Sequence, residues 1–305
     1  MKILLFGKNG QVGWELQRSL SPLGELIALD SSSETLCGDF TDLKGLAETV
    51  RSVAPDIIVN AAAHTAVDRA ESEPDLARII NATAPSILAE EAKKLNAWLV
   101  HYSTDYVFDG SGEKPWIESD PTGPLNVYGK TKLEGEDLIV QSGCHHLIFR
   151  TSWVYGATGK NFLLSILRFA REREQLRIVA DQHGAPTWSF DLARMTAHVI
   201  RHVEGVAAEK RVSLAEAVAP IGGIYHAGGS GETTWFGFAS AAVEALRQRE
   251  PGLKLASIEP IPTSEYPTPA KRPANSRLDC GKLQRVFGYR MMPWTESLAA
   301  VMAQV

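Results

Sequence analysis

The stretch Ile3-Leu4-Leu5-Phe6-Gly7-Lys8-Asn9-Gly10-Gln11-Val12-Gly13 decides the fold. Its apolar start runs without alternation, as a strand buried on both faces does. The run then breaks into glycines in a GxxGxxG pattern, and Val12–Leu20 reads as an amphipathic helix. Strand, glycine turn and helix in that order allow a tight turn and a close backbone approach to a pyrophosphate. The helix N-terminus adds amide donors and the positive end of its dipole. The spacing alone is a weak signal; the strand before it and the helix after it give it weight. Gly7, Gly10, Gln11, Val12 and Gly13 are therefore candidate dinucleotide-binding residues.

The same rhythm continues downstream. Leu26–Leu29, Ile57–Asn60, Trp98–His101 and Leu147–Arg150 read as further buried strands, with helices at Leu43–Val53, Asp75–Leu95 and Tyr128–Gln141 between them. This alternation predicts an α/β fold, a Rossmann-type doubly wound parallel sheet. Residues 1–150 are expected to form the NAD(P)-binding core. Residues 160–203 are expected to complete the sheet, with helices at Asn161–Glu172 and Phe190–Val203 and a strand at Leu176–Ala180. From 204 to 305, Gly/Pro-rich stretches such as Pro220–Gly223, Ala227–Gly231 and Pro260–Pro273 break the regularity. That part reads as a smaller, loop-rich C-terminal substrate lobe.

Bulk properties narrow the partners. Across 305 residues, 31 Lys and Arg face 36 Asp and Glu for a net charge of -5, so no field draws in nucleic acid. No apolar run approaches a membrane span, and Ile3–Phe6 is too short for a signal-peptide core, so a cytoplasmic protein without a membrane partner is expected. Cys37, Cys144 and Cys280 are odd in number and form no CxxC pair, which reads as free thiols in a reducing compartment.

The chemistry-bearing residues fall at strand ends. Asp30 closes the second strand, where a carboxylate binds adenosine ribose hydroxyls and repels a 2′-phosphate. Ser31, Ser32 and Ser33 offer donors to that same phosphate, so the cofactor is NADPH or NADH. Asp39 and Phe40 are placed to flank the adenine, and Ala62, Ala63 and Thr65 after the third strand are small enough for close cofactor approach. The fourth strand ends in Ser103-Thr104-Asp105-Tyr106, at the edge where open α/β sheets place ligands. Tyr128 and Lys132 follow at i and i+4 on one helix face. A phenol with an ordinary pKa of about 10 is a poor acid–base group at neutral pH. A nearby ammonium and an oxidised nicotinamide are expected to lower that pKa. Tyr128 would then protonate a carbonyl oxygen while hydride reaches its carbon, with Lys132 on the nicotinamide ribose and Thr104 donating to the substrate oxygen.

Together Gly7, Gly10, Gly13, Thr104, Tyr128 and Lys132 resemble the extended short-chain dehydrogenase/reductase superfamily. Asn60–Ala63, Ser103–Phe108, Asn126–Lys132, Arg150–Gly156, Asp181–Thr187 and Pro267–Ala270 narrow the likeness to the dTDP-4-dehydrorhamnose reductase family. The resemblance implies reduction of the 4-keto group of dTDP-4-dehydro-L-rhamnose by NAD(P)H, giving dTDP-L-rhamnose. It implies Tyr128, Lys132 and Thr104 as catalytic residues and Thr104, Asp105, Trp153 and Arg272 at the dTDP-sugar. Trp153 could pack on a sugar face, and Lys271, Arg272 and Arg277 could meet a diphosphate. Some members of the family are described with Mg²⁺, yet no carboxylate cluster of the kind such an ion needs stands out here, so no metal site is assigned. A monomer or weak homodimer is expected. Two other readings stand beside this one: a nucleotide-sugar 4-epimerase, and a non-catalytic subunit like the regulatory subunit of methionine adenosyltransferase. A 4,6-dehydratase would carry an acidic residue where Tyr106 stands.

Overall fold

The computed structural model describes Met1–Val305. Strands β1 (Lys2–Phe6), β2 (Glu25–Leu29), β3 (Ile57–Asn60), β4 (Trp98–Thr104) and β5 (His145–Thr151) form where the apolar runs lie. They pair in parallel in the order β2-β1-β3-β4-β5, and a sixth strand, β6 (Gly223–His226), adds beyond β5. That last strand corrects the sequence reading. Residues 160–203 supply no strand to this sheet: Gln175–Val179 pairs instead with Ser257–Ile261 in a small separate sheet. The run Ile224-Tyr225-His226 is too short to show a period, and it follows two glycines in a stretch that otherwise signals turns.

Helices α1 (Gln11–Leu20), α2 (Leu43–Val53), α3 (Ala84–Leu95), α4 (Val127–Ser142) and α5 (Ser189–Lys210) cover the sheet. Successive strand side chains point to opposite faces. Ile3, Leu5, Val59 and Val100 meet Leu16 and Leu20 of α1 and Leu192, Met195 and Val199 of α5. Leu4, Phe6, Ile58 and Leu99 meet Leu46 and Val50 of α2 and Leu88 and Ala92 of α3. Within 160–203, only α5 joins the helical cover, while Phe162–Glu172 and Gln175–Val179 pack into the C-terminal lobe.

The helix expected over 75–95 is not uniform. Pro74–Arg78 is α-helical, Ile79–Thr83 widens into a π-helical turn, and α3 follows. The wide turn directs Asn81 inward, where Oδ1 accepts from the His64 N–H (2.8 Å) and Nδ2 donates to His64 O (3.1 Å) and Thr131 Oγ1 (3.1 Å). The loop after β3 is thereby tied to α4. The C-terminal lobe has its own apolar cluster, in which Leu163 and Leu167 meet Phe238, Leu246, Leu298 and Val301. Residues 110–116 and the strap 271–279 join lobe and core: Trp116 N–H donates to Arg277 O, Asp279 N–H to Trp116 O (both 2.8 Å), and Asn275 N–H to Gly110 O (3.0 Å). No helix is long and apolar enough to cross a membrane.

Candidate active site

The carboxyl ends of the strands open on a cavity of about 1160 Å³. It lies where the strand order reverses between β1 and β3, as ligand sites in open α/β sheets do. Gly7 has φ +86°, and a Cβ there would lie 2.7 Å from Ala61 C and Ala62 N. A Cβ on Gly13 would lie 1.9 Å from Gly7 O. Both positions therefore exclude any side chain. Gly7, Gly10, Gln11 and Val12 line the cavity. Gly13 does not; it stands behind the loop and lets α1 close onto it. No side chain caps α1, so its first amides are left for an anion.

At one end Asp30, Ser31, Asp39 and Phe40 line the wall. Asp30 Oδ1 accepts from Ser32 N–H (3.1 Å), Ser32 Oγ (2.9 Å) and Ser33 Oγ (3.2 Å), and Lys8 Nζ stands 3.7 Å away. Asn9 Nδ2 donates to its other oxygen. Burial pushes this carboxyl up, but the Ser32 and Ser33 hydrogen bonds and the Lys8 charge outweigh it and hold the pKa below the ordinary value. Phe40 packs edge-on against Phe6 with ring centroids 5.5 Å apart, so it is both core and wall. Ala62, Ala63 and Thr65 line the next section.

The other end is assembled from β4 and α4. Asn126 caps α4 by accepting from Gly129 N–H at 2.8 Å. A Cβ on Gly129 would lie 2.2 Å from Tyr106 O, so only glycine brings α4 this close to the end of β4. Thr104, Asp105, Tyr128 and Lys132 all reach the cavity. Lys132 is 1% exposed, and its Nζ meets Tyr102 O at 2.7 Å and His101 Nε2 at 3.0 Å. Burial pushes Lys132 down to about 8, against the pull of Glu136.

The lowered phenol pKa expected from Lys132 is not found in the protein alone. Burial pushes Tyr128 well above the ordinary value, and only the Thr104 hydroxyl pulls the other way. Lys132 is turned toward the strand instead. A raised pKa keeps the phenol protonated, which is the state a proton donor needs. Burial also lifts Asp105 to about 7, against hydrogen bonds from Ser276 and Thr104. Ser103 Oγ and Thr151 Oγ1, buried at adjacent strand ends on the same cavity, have no partner within the protein. Buried hydroxyls of this kind mark where a polar ligand completes the site.

The far wall is aromatic. Trp153 stacks on Trp235 at 3.8 Å and 16°, and Phe162 packs on Trp235 at 4.6 Å. Trp153 holds a left-handed φ of +48°, and its indole leaves no room for a side chain at Gly184, whose Cβ would lie 2.7 Å from it. One indole face is therefore covered by Trp235. Arg272 does not line the cavity. It is tied to Asp68 at 2.6 Å and touches Tyr106, while Arg277 pairs with Glu232 at 3.0 Å. Trp235 and the segment Thr158–Asn161 escape sequence reasoning, although Asn161 Nδ2 donates to Gln11 Oε1 at 3.1 Å. Nothing periodic or motif-like marks either. No group of three or more His, Cys, Asp or Glu side chains is placed to hold a metal.

The family model described as RmlD substrate binding domain matches residues 1–305. The dTDP-4-dehydrorhamnose reductase of Escherichia coli K12 is 53% identical over 294 residues, 96% of this chain and 94% of that protein. The chain belongs to the dTDP-4-dehydrorhamnose reductase family. Solved members share the architecture of this reductase fold throughout. The Clostridium acetobutylicum enzyme gives a TM-score of 0.85 at 36% identity over 99% of each chain. The Bacillus anthracis enzyme, solved in complex with NADP, gives 0.85 at 32% identity over the full length of both. The protein is an oxidoreductase of the short-chain dehydrogenase/reductase type with a nicotinamide cofactor.

Proposed function

We propose that this chain reduces the 4-keto carbon of dTDP-4-dehydro-L-rhamnose with NADPH or NADH to give dTDP-L-rhamnose. The convergence of Thr104, Tyr128 and Lys132 on the cavity that also holds the glycine loop and Asp30 carries this reading. The nicotinamide cofactor supplies the hydride. In this assignment the uncapped N-terminus of α1 holds the cofactor diphosphate, and Asp30, Asp39 and Phe40 hold the adenosine. Ala62, Ala63 and Thr65 form the floor, and Lys132 takes the nicotinamide ribose. Tyr128, kept protonated by burial, donates its proton to the substrate carbonyl oxygen, and Thr104 Oγ donates a hydrogen bond to that oxygen. Asp105 and the Trp153–Trp235 pair shape the sugar pocket, and Arg272 meets the sugar diphosphate by leaving Asp68. Mg²⁺ has no assigned step. Dependence on a nucleotide sugar and a nicotinamide cofactor suits a cytoplasmic enzyme.

The test is the isolated chain with dTDP-4-keto-6-deoxysugars and each nicotinamide cofactor, followed by NAD(P)H absorbance. Stoichiometric loss of absorbance supports the reductase. Turnover without net cofactor loss would mean an epimerase, and no turnover with cofactor bound would mean a binding subunit.

A further inference from the structure

His101 takes no part in the chemistry above, yet it is 0% exposed and both its ring nitrogens are engaged. Nδ1 lies 3.0 Å from Asn60 Nδ2, and Nε2 lies 3.0 Å from Lys132 Nζ. The donors around the ring decide where its proton sits. Asn60 Oδ1 accepts from the backbone N–H of Ala62 at 3.0 Å. Turning the amide over would set its NH₂ against that fixed donor, so the NH₂ faces His101. Nδ1 must then be the accepting nitrogen. Burial holds His101 well below its ordinary range, so the ring is neutral. A neutral ring that accepts at Nδ1 carries its proton on Nε2, which points at Lys132.

An N–H aimed at Nζ needs a lone pair there, and an ammonium has none. All these groups are satisfied together when donation runs from Ala62 to Asn60, from Asn60 to His101, and from His101 to an uncharged Lys132. The amine then donates to Tyr102 O at 2.7 Å. The other ionisable groups near the pair are known. On α4, Tyr128 is neutral, and Glu136 favours the ammonium but is engaged by Arg150 of β5 at 2.6 Å. From β5, His146 is also held below its ordinary value by burial.

We propose that His101, oriented by Asn60, is a positioning residue of the reductase: at mildly alkaline pH it holds Lys132 as a neutral amine in the free protein, and cofactor binding draws the amine off the ring and leaves it protonated. One proton from solvent converts the amine to the ammonium, and no other bond changes. The ammonium thus forms when its charge can favour loss of the Tyr128 proton. The inference rests on the reductase reading, in which Lys132 meets the cofactor. Both readouts below are taken without turnover, so they can fail while the ketosugar assay succeeds.

The first readout is the nitrogen NMR spectrum of the wild-type His101 ring in the cofactor-free protein at about pH 8.5. The proton is expected on Nε2 alone; a proton on Nδ1, or on both nitrogens, would overturn the proposal. The second is calorimetry of NADPH binding at about pH 8.5, just above the titration of Lys132, in buffers of different ionisation enthalpy. Wild type should take up a large fraction of a proton. Asn60→Asp places a carboxylate against Nδ1, moves the ring proton there and makes Nε2 an acceptor for an ammonium. Its uptake should vanish. Uptake absent in wild type, or equal in the two proteins, would overturn the proposal.

Discussion

At the glycine loop Gly7, Gly13 and Ala62 meet backbone to backbone, and Gly129 of α4 meets Tyr106 O in the same way, whereas Trp153 at the aromatic wall and Arg272 and Arg277 outside the lining are held by other side chains. The first kind of contact leaves nothing to adjust: a Cβ at Gly13 would overlap Gly7 O outright. The second kind can be exchanged. An Arg272–Asp68 pair, partly open to water, contributes little by itself, and under the proposed function it is traded for a ligand phosphate. Under the proposed function, rigid backbone contacts sit where the cofactor and the proton donor are held, and exchangeable contacts sit where the sugar is admitted.

The sharpest way to break this division is at Tyr128, the proposed proton donor. Tyr128→Phe removes one hydroxyl from the rigid half and should lower turnover by about 10²–10⁴-fold, the usual weight of a positioned general acid. Cofactor affinity, followed by fluorescence titration, should stay near wild type. A variant with near wild-type turnover would remove Tyr128 from the chemistry.

Rigidity itself is open to test through the buried pair behind α4. Arg150 and Glu136 are 3% and 1% exposed and meet at 2.6 Å. Arg150→Met strands the carboxylate and should cost about 3–5 kcal/mol in urea unfolding. The exposed pair Arg78–Glu134, also at 2.6 Å, should cost under about 1 kcal/mol when broken. Equal losses at the two sites would mean that burial does not distinguish them.

Asp105 stands between the halves, and pH reads it. Burial lifts its carboxyl to about 7 in the folded protein, against about 3.9 unfolded. A carboxyl raised on folding contributes its stability below the unfolded value and loses it as pH rises through the folded one. Wild type should therefore lose stability relative to Asp105→Asn between about pH 4 and pH 7, by a few kcal/mol in all. A difference that stays flat with pH would mean that Asp105 is ionised in the fold.

The same division decides what could be read before the structure. β1 to β5, the glycine loop and the Tyr128–Lys132 pair are set by residues close in sequence on regular elements, where apolar runs and i, i+4 spacing carry the signal. β6 was lost because three residues show no period. Trp235, Thr158–Asn161 and the Asp68 hold on Arg272 arise from packing between distant segments, which no local pattern records. His101 and Asn60 lie on strands that apolar runs mark, but their meaning depends on which ring nitrogen meets which donor. In the protein alone Tyr128 stays above its ordinary value for a related reason: spacing puts Lys132 on the same helix face but does not say which way its amine turns.

Asn126 joins the two halves, and the smallest predicted effect lies there. Its Oδ1 caps α4 through Gly129 N–H, and its Nδ2 donates to Lys271 O on the strap at 2.8 Å. Asn126→Ala removes both and should cost about 1–2 kcal/mol, with the KM for the sugar rising more than kcat falls. Asn126→Asp keeps an accepting oxygen for the cap and sets a carboxylate against Lys271 O. Its stability should stay within about 0.5 kcal/mol of wild type plus the lost strap bond, because Asp caps as well as Asn. Its sugar KM should still rise. If Asp restores the sugar KM along with the cap, the strap takes its position from α4 and not from the Lys271 contact. The exchangeable half would then begin further out, at Arg272.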